Sequence, residues 1–483
     1  MAKLLKSVKE KFAFWAIAFL LFFLPLYPKF PLFSVSDTYV SIRLEDVLIA
    51  SIVFIFALIL FLKKDFSFLK WPLTKLLGLY FLIGLLAVLN AIFITKNVIP
   101  HLVLLHFLRR FEYISLLFVA YFSFFKKKQL KTFGWILATS TFGVIFYALG
   151  QKFFGWPVVS TMNKEFSKGM ILRLTWWARV NSTFAGHYDL AAYMVMILCL
   201  IIAVLTLVKN WKTRLMVFFL GLLSFYIILL TASRVSFGAY LVGGLFVLFL
   251  AKKKWWVIPF LVFSILGMVF SEDLGQRYAA TFKIDLSFLS GVVLVRPRKI
   301  ALAPTLTPIP TPSFTGLQPT RTHGMPIPTE TPTPTPTQPV ATASGEYFEP
   351  TELAVGRSTD IRLKVEWPRA VRAFLKNPLL GTGYSSITLA TDNDYLRLIG
   401  ESGILGVLAF SLVILEIAGR IILFLKSKAG REEKLLIIGF VGASVGYFLN
   451  ATFIDVFESS KVAFFFWIMM GVGLRLIDLN SKH

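Results

Sequence analysis

Cysteine, histidine and acidic residues are all scarce in this chain, and each scarcity closes off a class of chemistry. The single cysteine, Cys199, lies in an apolar run, which leaves no internal disulfide and no thiolate metal site. The five histidines, His101, His106, His187, His323 and His483, show no ligand spacing. No metal and no cofactor is expected. Charged side chains make up only 16% of the 483 residues, against 57% hydrophobic and 16% aromatic, at a mean hydropathy of +0.73. That excludes an ordinary soluble globular protein and indicates an integral membrane protein surrounded by membrane lipid. With 26 acidic against 50 basic residues the net charge is +24. The basic residues come in short clusters between apolar runs, which is the pattern of cytosolic loops and not of a nucleic-acid interface. No nucleic-acid partner is expected.

The N-terminus, "MAKLLKSVKEKFAFWAIAFLLFFLPLYPKF", has the basic flank of a signal peptide, but its apolar run is too long and lacks a small-residue cleavage site. It reads as an uncleaved first helix. Runs able to cross about 30 Å of hydrocarbon fall near 12–28, 46–62, 73–95, 103–125, 133–151, 189–208, 214–232, 235–251, 255–271, 403–425, 435–454 and 460–477. The expected fold is therefore an all-α polytopic membrane protein with about 12 transmembrane helices. Lys63, Lys64 and Lys70, then Lys126, Lys127, Lys128 and Lys131, then Lys209, Lys212 and Arg214, then Lys252, Lys253 and Lys254, then Lys426, Lys428, Arg431 and Lys434 all fall on the side of the basic N-terminus. The positive-inside rule puts both termini in the cytosol of a multi-pass protein of the cytoplasmic membrane.

Four segments follow: helices one to four over 1–129, helices five to nine over 130–271, a large extracytoplasmic loop over 272–402, and helices ten to twelve over 403–483. Within the loop, residues 303–344 are rich in Pro and Thr without apolar periodicity, and read as an extended, disordered tether open to O-glycosylation. Beyond it, "GRSTDIRLKVEWPRAVRAFLKNPLLGTGYSS" predicts an amphipathic helix interrupted at Pro368 and followed by a turn at Gly381 and Gly383.

Arginines are concentrated in the segments expected outside: Arg173, Arg179, Arg234, Arg357, Arg362, Arg369 and Arg372. Guanidinium suits a bidentate grip on phosphate oxygens, and the plainer alternative is pairing with carboxylates. Arg234, in "LLTASRVSFG", has almost no loop to sit in and must face protein or water at the membrane boundary. Arg109, Arg110 and Glu112 interrupt the fourth run, either as functional charges or because that helix lies partly in the outer interface. Glu416 and Arg420 form an i, i+4 pair. In "TDNDYLRLIGESGILG", Thr391, Asp392 and Asn393 are all good N-cap types, so Asp392 either caps the next helix or acts as a base beside the arginines.

Four stretches together resemble the bacterial O-antigen ligase and O-antigen polymerase family, polytopic membrane glycosyltransferases of lipid-linked polysaccharide. "RVNSTFAGHYDLAAYM" resembles the family's Arg, Thr-Phe, Asn-x-x-Ala stretch, with Arg179 as the arginine and Asp189 where an asparagine is common. "LLTASRVSFGAYL" resembles its Ser-Arg stretch at Ser233 and Arg234, and "RAVRAFLKNPLLGTGYSS" its Pro-x-x-Gly-x-Gly turn at Pro378, Gly381 and Gly383. "DNDYLRLIGESGILG" resembles the ligases' His-Asn and Gly-x-x-Gly motif through Asn393, Gly403 and Gly406, with Asp392 where the ligases carry histidine. The resemblance covers roughly 130–425.

It implies a polyprenyl-diphosphate-linked oligosaccharide donor, a glycan, lipid or protein acceptor, and inverting transfer without metal at an extracytoplasmic site. Ligase and polymerase both stay open. The expected roles are Arg179 and Arg234, with Arg357 or Arg362, on the diphosphate, and Asp392 or Asp394 as the catalytic carboxylate. The rivals are a transporter or flippase of lipid-linked glycan, which should show internal repeats absent here, and a scaffold displaying the Pro/Thr stalk, which leaves the arginines unexplained.

Overall fold

The computed structural model describes residues 2–38, 41–96, 98–124, 126–161, 166–175, 178–282, 360–387 and 391–480. The tract 303–344 and Arg357 lie outside them. The described chain is helical: α1 (Ala2–Leu26), α2 (Leu44–Leu62), α3 (Pro72–Leu89, continued by a π-turn over Asn90–Thr95), α4 (Pro100–Tyr121), α5 (Lys127–Phe154), α6 (His187–Leu207), α7 (Trp211–Thr231), α8 (Arg234–Leu250), α9 (Val257–Phe270), α10 (Glu272–Phe282), α11 (Trp367–Lys376), α12 (Asp394–Lys426), α13 (Arg431–Asn450) and α14 (Ser460–Asn480). Two short antiparallel pairs accompany them, β1 (Pro31–Phe33) with β2 (Ile42–Arg43) and β3 (Pro157–Val159) with β4 (Ile171–Arg173).

Helix starts follow local chemistry. Proline opens α3 and α4, where its missing N–H costs nothing. Asn210 caps α7 by accepting from the Lys212 N–H at 2.9 Å.

Among the described residues, seven helices are long and apolar enough to cross a membrane by themselves: α2, α3 with its π-turn, α5, α6, α7, α12 and α14. The other apolar runs read from the sequence are helical too. By that measure α8 and α9 are short, at 17 and 14 residues, while α1, α4 and α13 carry several charges.

At the centre stand α6 and α14, with 67% and 83% of their most apolar stretch buried inside the protein. Helix α6 packs on α7, α8 and α13, and α14 packs on α4. The α8–α13 approach is close because both helices present glycine: a Cβ on Gly243 would stand 2.7 Å from the Gly442 carbonyl oxygen. Phe54, Phe61, Leu82, Phe142 and Phe219 point outward and exposed, as a lipid-facing surface requires.

Polar contacts mark the two ends of the bundle. At one, Lys9 pairs with Asp65 at 2.5 Å and the Tyr121 hydroxyl donates to Asp478 at 2.5 Å. At the other, Lys461 donates to the carbonyls of Tyr27 (2.5 Å) and Thr183 (2.8 Å), and Ser460 donates to Glu45 at 2.8 Å.

Two local expectations need correction. Pro368 does not interrupt its helix. It occupies the first turn of α11, and the turn before it widens into a π-turn over Arg362–Glu366, closed by the Trp367 N–H on the Arg362 carbonyl. A wider turn accommodates the hydrogen bond and the space that proline removes. Helix α10 was not read from the sequence at all: it falls where the ninth apolar run stops, and it packs Tyr278 against Phe237 of α8, with ring centroids 5.9 Å apart.

Candidate active site

Three arginines from distant segments meet at one end of the bundle. Arg179 stands on a loop that is rigid for a specific reason. Ser182 takes a left-handed backbone (φ 51°), and Gln151 of α5 clamps it, accepting from its N–H at 2.8 Å and donating to its carbonyl at 2.9 Å. Arg179 Nη1 then lies 2.7 Å from His187 Nε2, which requires neutral His187 with Nε2 as the acceptor. Arg234 opens α8 after a tight turn in which Ala232 is left-handed (φ 48°) and the Ser233 hydroxyl caps the helix. From α10, Thr281 accepts from Arg234 Nη1, and the Tyr278 hydroxyl donates to the Arg234 carbonyl at 2.6 Å. Arg362 opens the π-turn and donates from Nε (3.0 Å) and Nη2 (2.7 Å) to Asp392 Oδ2.

Tyr188 ties the group together, since it acts electrostatically on both Arg362 and Arg234, and Arg234 also feels Arg179 and Arg362. Burial raises Asp392 above the ordinary carboxylate range, with Arg362 opposing. Three guanidiniums beside one partly exposed carboxylate have spare positive charge, which suits a polyanion.

The stretch "TDNDYLRL" resolves into separate jobs. Asn393 is the cap of α12, its Oδ1 accepting from the Leu396 N–H at 2.9 Å. Asp392, one residue earlier and left-handed (φ 48°), turns its carboxylate to Arg362. Asp455, in the α13–α14 link, fixes this geometry by accepting from the backbone N–H groups of Thr391 (2.9 Å) and Asn393 (3.2 Å) and from Arg397 (2.9 Å). Asp394 is 2% exposed and accepts from the Phe457 N–H at 2.9 Å. The structure does not bring Asp394 to the arginines. Sequence reasoning passed over His187, Tyr188 and Asp455. An acidic residue in the short link between the last two apolar runs was the available signal for Asp455.

The glycine motifs turn out to be one structure. Helix α12 breaks at Gly403 (φ 65°, ψ −171°), which frees helical N–H and C=O groups on both sides. The turn after α11 supplies their partners. Ile404 donates to the Pro378 carbonyl (2.8 Å) and Leu405 to Leu379 (3.2 Å), while Thr382 and Gly383 donate to the carbonyls of Gly400 (3.0 Å) and Glu401 (2.9 Å). Gly381 (φ 67°) lies so close that a Cβ would be 2.4 Å from the Glu401 carbonyl carbon. Gly406 faces the Ser402 side chain. This patch holds α11 and the Arg362 turn against the start of α12.

Several other charges in the bundle are paired. Arg110 bonds Glu401 at 3.1 Å and also Glu458, Arg109 donates to Asp46 at 3.4 Å, and Arg420 pairs with Glu416 at 2.8 Å. Glu112 Oε1 is buried without a partner. Asp189 lies in a buried group with Ser459, Lys29, Arg43 and Lys461, where burial pushes Lys29 down to about 8. A groove of about 550 Å³ between α2 and α4 is lined by Asp46, Arg109 and Glu112 among apolar side chains, and by none of Arg179, Arg234 or Arg362.

Apolar helices, several long enough to cross a bilayer, with a cluster of arginines at one end, define a polytopic membrane protein. Residues 219–411 match the family model Wzy_C, O-Antigen ligase, and this match supports the O-antigen ligase and polymerase family. The matched segment runs from α7 into α12, takes in Arg234, Arg362, Asp392 and the glycine patch, and stops short of Arg179. That family consists of glycosyltransferase-like enzymes acting on lipid-linked glycan and on glycan or lipid acceptors. No curated protein matches the chain.

Proposed function

We propose that the protein is a metal-independent, inverting membrane glycosyltransferase that transfers or polymerises glycan from a polyprenyl-diphosphate-linked donor at the outer face of the cytoplasmic membrane. The observation that carries this reading is the meeting of Arg179, Arg234 and Arg362 beside Asp392. The acceptor oxygen attacks the anomeric carbon, and the bond from that carbon to the diphosphate breaks with its electron pair. The guanidiniums neutralise the charge that grows on the leaving diphosphate, and a carboxylate beside them takes the hydroxyl proton. Single displacement inverts the anomeric centre. The products are the lengthened glycan and free polyprenyl diphosphate.

The test is a vesicle assay with a purified, labelled polyprenyl-diphosphate oligosaccharide and an acceptor glycan. Labelled glycan should appear on the acceptor with release of polyprenyl diphosphate, and EDTA should leave the rate unchanged. Loss on chelation with rescue by magnesium would assign the diphosphate to a cation held by carboxylates. Movement of labelled lipid between leaflets without transfer would select the transporter.

The reading also needs all twelve apolar helices other than α10 and α11 to cross the membrane with the arginines outside. Reporter fusions after Lys128, Lys212 and Lys254 should read cytosolic, and fusions within 152–188 or 303–344 external. A cytosolic signal from 303–344 would invert the topology and remove the proposed site from its substrate.

A further inference from the structure

The π-turn that carries Arg362 also carries one acidic residue, Glu366, and its neighbours hold an unusual run of open valences. Glu366 Oε2, Trp367 Nε1 and Arg369 Nη1 are all shielded from solvent, and none has a hydrogen-bond partner. Buried polar atoms are nearly always paired, so three on one short stretch beside Arg362 and Asp392 indicate a polar ligand that supplies both donors and acceptors. A sugar does so with its hydroxyls. Trp367 is braced from behind by Phe453, at 6.0 Å between ring centroids.

Asp392 and Glu366 are not equivalent as bases. Asp392 Oδ2 receives two bonds from Arg362, and taking a proton would cost it that charge-assisted pair. Glu366 Oε2 has no bond to give up. We infer that Glu366 takes the proton of the acceptor hydroxyl, that Asp392 is a positioning residue for Arg362, and that Trp367 and Arg369 hydrogen-bond the acceptor sugar. The inference rests on the transferase reading above. In the step, the acceptor oxygen bonds to the anomeric carbon, the carbon–diphosphate bond breaks with its electron pair, and the proton passes to Glu366 Oε2. The diphosphate grip and the base then sit on one helical turn, so a displacement of α11 would disturb both together.

The charged groups acting on Glu366 are Asp392, Arg362, Asp455 and Arg369. Burial first, then Asp392, push its carboxyl up to about 7, with Arg362 and Arg369 opposing. The reactive form is the ionised one. Transfer should therefore rise with pH through about 7, and that limb belongs to Glu366.

The experiment compares the full-length protein with Glu366→Gln and Asp392→Asn in vesicles. It measures kcat and donor KM from pH 5.5 to 9 (roughly the range over which such a group titrates), together with binding of labelled polyprenyl diphosphate and thermal stability. Glu366→Gln should lose about a hundredfold or more in kcat, bind polyprenyl diphosphate as tightly as the parent, and show no rising limb near neutrality. Asp392→Asn should raise donor KM and keep the limb. A Glu366→Gln protein with normal kcat, or one that keeps the limb, would overturn the inference, as would an Asp392→Asn protein that loses it. Failure of the transferase reading itself would look different, because the parent protein would show no glycan transfer at any pH.

Discussion

Arg234→Lys lowers glycan transfer by about a hundredfold or more at unchanged protein level, and Arg179→Lys does the same. A lysine keeps the charge but offers one compact ammonium, while guanidinium presents a planar fork that matches two phosphate oxygens at once. Arg234 needs that fork, since one of its nitrogens already donates to Thr281 and the others must meet the ligand. The control is an arginine of the buried network. Arg110→Met strands Glu458 and leaves Glu401 only Arg397, at 3.6 Å, and should cost about 3–5 kcal/mol, seen as less folded protein in the membrane at normal activity per folded molecule. Initial rates normalised to folded protein separate the two cases. Full activity in Arg234→Lys would remove the diphosphate from this cluster.

Gly403→Ala should abolish the folded protein or nearly so. The backbone there is in a region open essentially to glycine alone, which costs any other residue about 1–3 kcal/mol. The added Cβ would also stand 2.3 Å from the Leu379 carbonyl oxygen and 2.4 Å from its carbon, backbone atoms already fixed by the bond from Leu405. Relief would require the turn after α11 to leave α12, and the Arg362–Asp392 pair would be pulled apart with it. Gly419→Ala, in the same helix with open space around it, should be neutral or slightly stabilising, by up to about 1 kcal/mol. Thermal unfolding followed by fluorescence-detected size exclusion would show the contrast. Equal stability of the two variants would mean that the break at Gly403 is not fixed by the glycine.

The sequence by itself determined where the apolar helices are, though not α10, because in hydrocarbon an apolar segment of about twenty residues must satisfy its own backbone, and the helix does so locally. It also determined that a turn falls at Gly381 and Gly383 and that a cap was needed before α12, since both are local demands of the backbone, whereas the break at Gly403 shows only in the structure. It left undecided which side chain of Thr391, Asp392 and Asn393 caps, because all three can. The α13–α14 link decides that, holding the N–H groups on either side of Asp392 through Asp455. Arg110 and Arg362 looked alike as isolated charges. Only the packing distinguishes them, one enclosed by Glu401 and Glu458 and the other set beside Arg234 and Tyr188. Periodicity fixes which face of its own helix a residue occupies, but not which helix that face will meet, and a site assembled from α6, α8, α10, α11 and the start of α12 exists only once those meetings are made.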